Sequence, residues 1–255
     1  MSTPFPLPCP ASRLAFISDL HLDSALPHTL ARFTEFLRTL PARADALFIL
    51  GDLFEYWAGD DDAGRGINRA VIAALKQTRD AGVQIYLQHG NRDFLLGQNF
   101  AQESGVTLLP ETVLLHSAHE PVLLLHGDTL CTDDIAYQTF RTQVRDPHWQ
   151  QNFLAQPLTQ RLAHIDMLRQ RSQQEKQTKA MAIMDVNPKA VLRALQEAGC
   201  RKMIHGHTHR PATHRWEQDG QHYERWVLSD WEFDHAPTRG NALMVADATW
   251  HWEVL

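Results

Sequence analysis

Cysteine is scarce in this sequence of 255 residues, which contains only Cys9, Cys131 and Cys200. An odd, scattered set fits neither a disulfide framework nor a thiolate metal site, and it points to a reducing compartment. No run of 18 apolar residues occurs, so no membrane-spanning helix is expected. The opening MSTPFPLPCPAS lacks the charged and apolar regions of a secretory signal. We therefore expect a cytoplasmic protein.

Positive charge is also in short supply. Lysine and arginine total 24 against 30 acidic residues, which gives a net charge of −6 and a pI near 6.2. This balance argues against a nucleic-acid groove, and we expect no nucleic-acid partner. Hydrophobic residues make up 44% of the chain, enough for one large core in a soluble globular protein. Histidine, by contrast, is plentiful at 15 residues, and imidazole is the commonest metal ligand.

Short apolar runs that end in polar residues recur along the chain. Each is typical of a buried strand whose carboxyl end carries Asp, His or Asn. The runs are LAFISD (14–19), ALFILGD (46–52), VQIYLQHGN (83–91), VLLLHGD (122–128) and KMIHGH (202–207). Amphipathic helices are predicted between the first three, at 26–40 and 66–82, and the last third alternates like antiparallel strands. The pattern predicts an α/β sandwich with helices packed on largely parallel or mixed sheets.

Residues 131–185 interrupt this pattern, because they have no strand-like run and are rich in Gln, Arg and helix formers. We predict one discontinuous core domain, 1–130 and 186–255, with a helical cap inserted at 131–185. Along a helix predicted over 157–180, one stripe passes from apolar to polar. Its members are Leu158, Leu162, Ile165, Arg169, Ser172, Lys176 and Lys179. A packed beginning followed by a solvated end explains the stripe, and so does a face turned toward a ligand.

The polar residues at the strand ends supply seven oxygen or nitrogen ligands. They are Asp19, His21, Asp52, Asn91, His126, His207 and His209. Seven ligands suffice for two divalent cations when one group is shared, and residues two apart on a strand point to the same face. By that alternation His205 should face away. Each short motif alone is a turn signal or a structural histidine, but five in order, each closing an apolar strand, favour a metal site.

These motifs together resemble the signature of the calcineurin-like metallophosphoesterases. The matching residues are DLH (19–21), GD (51–52), GNRD (90–93), His126 and GHTH (206–209). The resemblance implies two mixed β-sheets flanked by helices, and two divalent ions with a metal-activated water that attacks phosphorus in line. It assigns one ion to Asp19, His21 and His209, the other to Asn91, His126 and His207, and the bridge to Asp52. Oxygen and imidazole ligands without thiolate suit Mn²⁺, with Fe or Zn as alternatives.

Arg92 follows Asn91 where many metallophosphoesterases have a histidine that protonates the leaving group. A guanidinium has a pKa above about 12, so it cannot act as a general acid, but its fork suits phosphate oxygens. Such an enzyme should prefer a leaving group that departs unprotonated, such as the phosphate of a pyrophosphate. GNRD and the cap sequence RSQQEKQTKAMAIMDVNP (171–188) are very similar to the UDP-2,3-diacylglucosamine pyrophosphatases of the lipid A pathway.

This second resemblance implies hydrolysis of the pyrophosphate bond of UDP-2,3-diacylglucosamine to UMP and 2,3-diacylglucosamine 1-phosphate, or lipid X. It implies a Mn-dependent enzyme that meets its lipid-linked nucleotide sugar as a peripheral protein at the cytoplasmic face of the inner membrane, with no obligate protein partner inferred. The catalytic residues would be Asn91, Arg92, His126 and His207. The substrate contacts would be Asn91, Arg92, Asp134, Tyr137, Ser172, Lys176, Lys179 and His207.

Several features of the sequence have more than one interpretation. Core packing or an acyl pocket would each explain Leu158, Leu162 and Met167. Docking on an anionic membrane, or an ordinary surface, would each explain Arg141, Arg145, Trp149 and Phe153. A phosphomonoesterase or cyclic-nucleotide phosphodiesterase would use the same metals, but Arg92 and the cap disfavour it. A non-catalytic metal-dependent scaffold is disfavoured by the complete ligand set.

Overall fold

A computed structural model describes residues 3–117, 120–178 and 185–255, and for 171–178 it describes the backbone alone. The strands are β1 (Phe5–Pro8), β2 (Leu14–Ile17), β3 (Ala46–Leu50), β4 (Gln84–Gln88), β5 (Thr107–Leu109), β6 (Thr112–His116), β7 (Val122–Leu125), β8 (Lys202–His205), β9 (Ala212–Gln218), β10 (Gln221–Val227), β11 (Asn241–Ala246) and β12 (Thr249–Val254). The α-helices are α1 (Pro27–Thr39), α2 (Asn68–Asp80), α3 (Gln98–Ser104), α4 (Ile135–Arg145), α5 (Pro147–Leu154), α6 (Leu158–Thr178) and α7 (Pro188–Glu197).

The strands form two mixed sheets of six, which confirms the predicted fold class. The first sheet has the order β12, β11, β2, β3, β4, β5, and its last four strands run parallel. Helices α1 and α2 connect β2, β3 and β4 as the sequence predicts. The second sheet has the order β1, β6, β7, β8, β10, β9. Strand β10 is antiparallel to β9, as predicted, but it also pairs in parallel with β8, which the sequence did not indicate.

Strand β2 shows why the central strands are continuous apolar runs. Leu14 and Phe16 pack between the two sheets, whereas Ala15 and Ile17 pack against the helices on the outer face. A strand that is buried on both faces has no position for an alternating polar residue. A further cluster joins the second sheet to α7. The core is therefore layered as helices, sheet, sheet and helix, and the predicted core strands all lie in its two middle layers.

Helices α4, α5 and α6 lie in the stretch that is predicted as a cap, and the first two begin at capping side chains. The side chain of Asp134 accepts a hydrogen bond from the Tyr137 backbone N–H at 3.0 Å, and Asp146 accepts one from Trp149 at 3.0 Å. Both are N-caps, which satisfy donors that the first helical turn leaves unpaired. The division into core and cap domains stays a prediction. Across the described ranges, no helix has the length and apolarity to cross a membrane.

Candidate metal centre

The seven candidate ligands follow the carboxyl ends of β2, β3, β4, β7 and β8. Carboxyl ends of parallel strands meet at one edge of a sheet, so residues far apart in sequence are brought together there. Two sets of side-chain atoms are close enough to hold an ion. They are Asp19, His21 and His209, and Asp19, Asp52 and His126. Asn91 and His207 lie beside the second set.

Five of the seven have a left-handed backbone. Their φ angles are 55° for Asp19, 49° for His21, 52° for Asp52, 68° for His207 and 53° for His209. This conformation is unfavourable for residues other than glycine, and it persists where surrounding contacts hold it. Since β2 ends at 17 and β8 at 205, the paired ligands lie in loops. Strand alternation is therefore the wrong reason for their pairing, although both members of each pair do converge.

The first set surrounds one point with atoms a few ångströms apart. His209 Nε2 lies 3.5 Å from Asp19 Oδ1 and 3.2 Å from His21 Nε2. His21 Nε2 lies 3.7 Å from Asp52 Oδ2. Ligands about 2.1 Å from a common ion have mutual separations in this range. Asp19 Oδ1 is buried and has no hydrogen-bond partner among the described residues. An orphaned carboxylate oxygen is costly unless a cation satisfies it, so this set fits a divalent metal.

The second set is arranged in the same way. Asn91 Oδ1 lies 3.0 Å from His126 Nε2 and 2.8 Å from His207 Nδ1. His126 Nε2 is 3.7 Å from Asp52 Oδ2, the same separation that His21 has from that oxygen. Asp52 Oδ2 is thus equally far from a histidine of each set, and Asp19 belongs to both sets, so either carboxylate could be shared by two ions. These separations fit the arrangement that the family resemblance implies, in which two ions would share one carboxylate.

Carboxylates behind the histidines orient the first set. Glu55 Oε2 lies 2.8 Å from His21 Nδ1, and Asp230 Oδ2 lies 3.5 Å from His209 Nδ1. In the second set, His126 Nδ1 lies 2.8 Å from the Leu50 carbonyl oxygen. Each such partner leaves the opposite ring nitrogen free for a metal. Neither Glu55 nor Asp230 was predicted from the sequence, because a carboxylate that acts on a ligand through tertiary contact carries no motif of its own.

The same carboxylates shift the pKa of the groups they contact. Burial alone would lower the pKa of His209, but the neighbouring carboxylates of Asp19 and Asp230 raise it to about 10. Burial alone would raise the pKa of the Glu55 carboxyl, but the hydrogen bond with His21 and nearby arginines lower it to about 2. Burial alone would also raise the pKa of the Asp230 carboxyl, but hydrogen bonds with His209 and Arg239 hold it well below its usual range, so Glu55 and Asp230 both stay ionised near neutral pH.

Two glycines allow the ligand loops to approach each other. A Cβ on Gly90 would overlap the carboxylate of Asp52, and a Cβ on Gly206 would overlap that of Asp19.

His205 differs from its neighbours, since it is buried and belongs to neither converging set. Its Nδ1 lies 2.8 Å from the Gly206 carbonyl oxygen, and burial lowers its pKa to about 3, so its ring is neutral.

A cavity of about 480 Å³ extends from the candidate metal ligands to the cap helices. Three of the substrate contacts that the family resemblance implies lie on its wall, namely Arg92, Asp134 and Tyr137. Its apolar lining includes Phe94, Phe140, Val144, Trp149, Phe153, Ile165 and Leu168. The cavity therefore has a polar floor at the ligands and a largely apolar roof at the cap. The side chains of Ser172 and Lys176, and all of Lys179, lie outside the described residues.

The structure corrects the interpretation of several cap residues. Four residues predicted on a surface instead line the cavity, namely Arg141, Arg145, Trp149 and Phe153. Arg141 Nε donates to Asp128 at 2.7 Å, and Arg145 donates to the Gly90 carbonyl at 2.8 Å. Both guanidinium groups therefore form hydrogen bonds within the protein. A membrane-docking patch made of these four residues is therefore wrong.

On α6, Ile165 and Arg169 of the predicted stripe do reach the cavity, together with Leu168. Leu158 and Leu162 are half-buried and do not line it, and Met167 is 61% exposed. Neither an acyl pocket nor core packing therefore describes Met167. The helical period was correct, but the rotation of the helix against the core decides which residues reach the cavity.

Comparisons with known proteins agree with this geometry. A family profile described as calcineurin-like phosphoesterase matches residues 12–211. A protein from Aromatoleum aromaticum named UDP-2,3-diacylglucosamine hydrolase is 52% identical over 222 residues, covering 87% of this chain and 90% of that protein. Proteins of the same name from Cellvibrio japonicus and Serratia proteamaculans are each 50% identical, over 85% and 86% of this chain and 90% and 91% of their own lengths.

Proposed function

The chain belongs to the calcineurin-like phosphoesterases and, within them, to the UDP-2,3-diacylglucosamine hydrolases, and from this premise we propose that it hydrolyses UDP-2,3-diacylglucosamine. The bond cleaved is the pyrophosphate, which gives UMP and 2,3-diacylglucosamine 1-phosphate in the lipid A pathway. One observation carries the proposal beyond the family. Candidate metal ligands form the floor of a cavity whose roof is largely apolar. A polar floor and an apolar roof suit a substrate that has a charged pyrophosphate and two acyl chains.

The enzyme uses divalent metal ions, for which we propose Mn²⁺. Bound ions lower the pKa of water and neutralise phosphate oxygens during an in-line attack. The proposed ligands are Asp19, His21 and His209 for one ion and Asn91, His126 and His207 for the other, with Asp52 shared. The carboxylates of Glu55 and Asp230 hold two of these imidazoles in place. Five of these ligands have a left-handed backbone conformation that the surrounding contacts hold in place. The ligands are therefore preorganised, and little rearrangement is needed when substrate enters.

Arg92 is proposed to bind the pyrophosphate oxygens. Its backbone N–H donates to Asp52 Oδ1 at 2.8 Å, which anchors it beside the proposed bridging carboxylate. Its guanidinium lies on the cavity wall, 3.8 Å from Glu55. A guanidinium that is always protonated stabilises negative charge but donates no proton to a leaving group. This chemistry suits a departing phosphate and does not suit an alkoxide, so it supports an anhydride substrate.

Further substrate contacts are proposed for the cavity wall and the cap. Asp134 and Tyr137 line the same cavity as the proposed metal ligands, where they can contact a sugar or nucleotide. Ser172, Lys176 and Lys179 are proposed on the sequence alone. Because the substrate carries acyl chains, we also propose peripheral contact with the cytoplasmic face of the inner membrane.

The direct test is turnover of purified protein with UDP-2,3-diacylglucosamine and Mn²⁺. We expect release of UMP and the diacylglucosamine phosphate, loss of turnover after chelation, and recovery when Mn²⁺ is added back. Bis-p-nitrophenyl phosphate and p-nitrophenyl phosphate serve as diester and monoester controls, for which we expect much lower kcat/KM. A preference for either control over the lipid substrate would contradict the proposal and favour a phosphodiesterase or a phosphomonoesterase.

A further inference from the structure

Glu55 occupies a junction that the family signature does not describe. It follows Asp52 by three residues, in the loop after β3, and its side chain is 20% exposed. Its two oxygens have different partners. Oε2 lies 2.8 Å from His21 Nδ1, whereas Oε1 lies 3.4 Å from Arg169 Nε and 3.8 Å from Arg92 NH1. One carboxylate therefore contacts a proposed metal ligand, the proposed pyrophosphate-binding arginine and a cap helix.

The charges around Glu55 require it to be an anion. Two guanidiniums approach the same oxygen, and a divalent ion is expected on the far side of the His21 ring. Arg169 has a second anionic partner in Asp23, at 3.3 Å, and its guanidinium lies 5.2 Å from the ring centre of Tyr56. For Arg92, the one described ion pair is with Glu55. Removing the Glu55 charge would thus leave Arg92 without its described ion-pair partner, whereas Arg169 would keep Asp23 and Asp166.

We propose that Glu55 is a positioning residue that couples the metal site to Arg92 and the cap. Through His21 it fixes the ring so that Nε2 faces the ion, and it makes that nitrogen a stronger ligand. Through its other oxygen it holds Arg92 and Arg169 toward the cavity. The proposal has two parts. The metal half, in which Glu55 supports His21 as a ligand, depends only on metal binding at the proposed ligands. The arginine half, in which Glu55 positions Arg92 and Arg169, rests on the proposed function.

The decisive variant is Glu55→Gln, which keeps the size of the side chain and removes its charge. Mn²⁺ is titrated calorimetrically into chelator-treated full-length protein, and the bound ions are followed by electron paramagnetic resonance. We expect the affinity for one of two ions to fall by roughly 10- to 100-fold, the range found when such supporting partners are removed. The metal-free melting temperature should change little. Two ions bound with wild-type affinity would overturn the proposal.

Asp23→Asn is the matched control, because Asp23 contacts Arg169 but neither His21 nor Arg92 in the described structure. We expect it to bind both ions as the wild type does. An equal loss of affinity in this variant would show that the cap contact, and not the support of His21, is responsible, and would overturn the metal half. Glu55→Asp keeps the charge on a shorter side chain. Its affinity should lie between those of wild type and Glu55→Gln, and an affinity no better than that of Glu55→Gln would overturn the role of charge.

The kinetic readout separates this inference from the proposed function. With Mn²⁺ at saturating concentration, Glu55→Gln should show a raised KM for UDP-2,3-diacylglucosamine, because Arg92 and Arg169 lose their common partner. An unchanged KM would overturn the arginine half. If the wild type binds two ions but does not hydrolyse this substrate, the proposed function fails, while the metal titration still tests the role of Glu55 at His21.

Discussion

The loops that carry the proposed ligands and the cap that covers them are built in different ways. In the loops, Asp19, Asp52 and His126 are at most 2% exposed, and most ligands have a left-handed backbone. On the cap, Ile135 is 70% exposed and Met167 is 61% exposed. The ligand loops extend directly from core strands and face the cavity on one side, whereas the cap helices also expose side chains to solvent.

The attachments of the two regions differ as well. Buried Asp93 accepts backbone N–H bonds from Gly90 at 2.8 Å and Leu53 at 2.7 Å, and so ties two ligand loops together. The cap is joined to the core in part through arginine ion pairs, among them Arg161 with Asp61 and Arg169 with Asp23. Exposed ion pairs are weak, and a buried one depends on its geometry. The difference suggests that changes in the loops affect chemistry and metal binding together, and that changes in the cap affect substrate binding alone.

The largest effect is expected from Asp52→Ala in the loop region. Its carboxylate lies 3.7 Å from the ring nitrogens of both His21 and His126, so its loss weakens both proposed ion positions at once. We expect turnover of UDP-2,3-diacylglucosamine to fall below detection and metal content, measured by elemental analysis, to decrease.

His205→Ala is the control within the same buried region. This ring is buried but belongs to neither set of ligands, so its removal should lower the melting temperature by leaving a cavity while both ions stay bound. If His205→Ala loses metal as readily as Asp52→Ala does, burial alone would explain the loss, and the distinction between ligand and neighbour would fail.

The loops were predictable from sequence to the extent that their ligands close apolar runs. Asp19 and Asp52 follow strands that are buried on both faces, and such strands leave a clear apolar signal that ends at the ligand. The left-handed backbone of these residues was not predictable, because it is imposed by contacts with distant loops. Glu55 and Asp230 escaped notice for the same reason: each acts on a histidine that only the fold brings near.

The cap was less predictable for a different physical reason. Helical periodicity identifies which residues of α6 share a face, but the packing of the helix on the core sets its rotation. Ile165 and Arg169 therefore line the cavity, while Leu158 and Leu162 do not, and contact of the stripe with a ligand stays a prediction. The edge strands β1 and β5 were missed because 4 and 3 residues are too few to show a periodic pattern. Helix α7 was missed although its sequence carries a signal, since Val191, Ala194 and Leu195 recur at helical spacing after the N-cap Asn187.

An intermediate effect is expected at Arg92, which belongs to the loop region but faces the cavity. Arg92→Ala should lose about 2.7 to 4 kcal/mol of transition-state stabilisation, as when a preorganised charge donor is removed. Metal content should stay full, since its side chain is not among the proposed ligands. Arg92→Lys should recover part of the rate, because it restores the charge without the bidentate fork.

Arg92→His tests whether the leaving group determines the need for arginine. This variant should gain relative rate on a diester with a poor alkoxide leaving group, because histidine can donate a proton, and it should lose rate on the pyrophosphate. The kcat/KM values for both substrates are compared on metal-replete enzyme across pH. Equal losses on the two substrates would reduce Arg92 to a general anion-binding group.

The smallest effect is expected in the cap, where two adjacent residues of α6 form a matched pair. Leu168 lines the cavity, whereas Met167 points to solvent. Leu168→Ala should cost about 1 to 2 kcal/mol in kcat/KM for the diacylated substrate, because partly buried methylene groups each contribute up to about 0.8 kcal/mol. Met167→Ala should have almost no effect, and both variants should keep full metal content. Repeating the assay with shortened acyl chains should remove most of the difference between the variants, since short chains no longer reach the apolar roof. A loss of metal in Leu168→Ala would mean that the cap also supports the ligand loops, and the separation of the two regions would then be wrong.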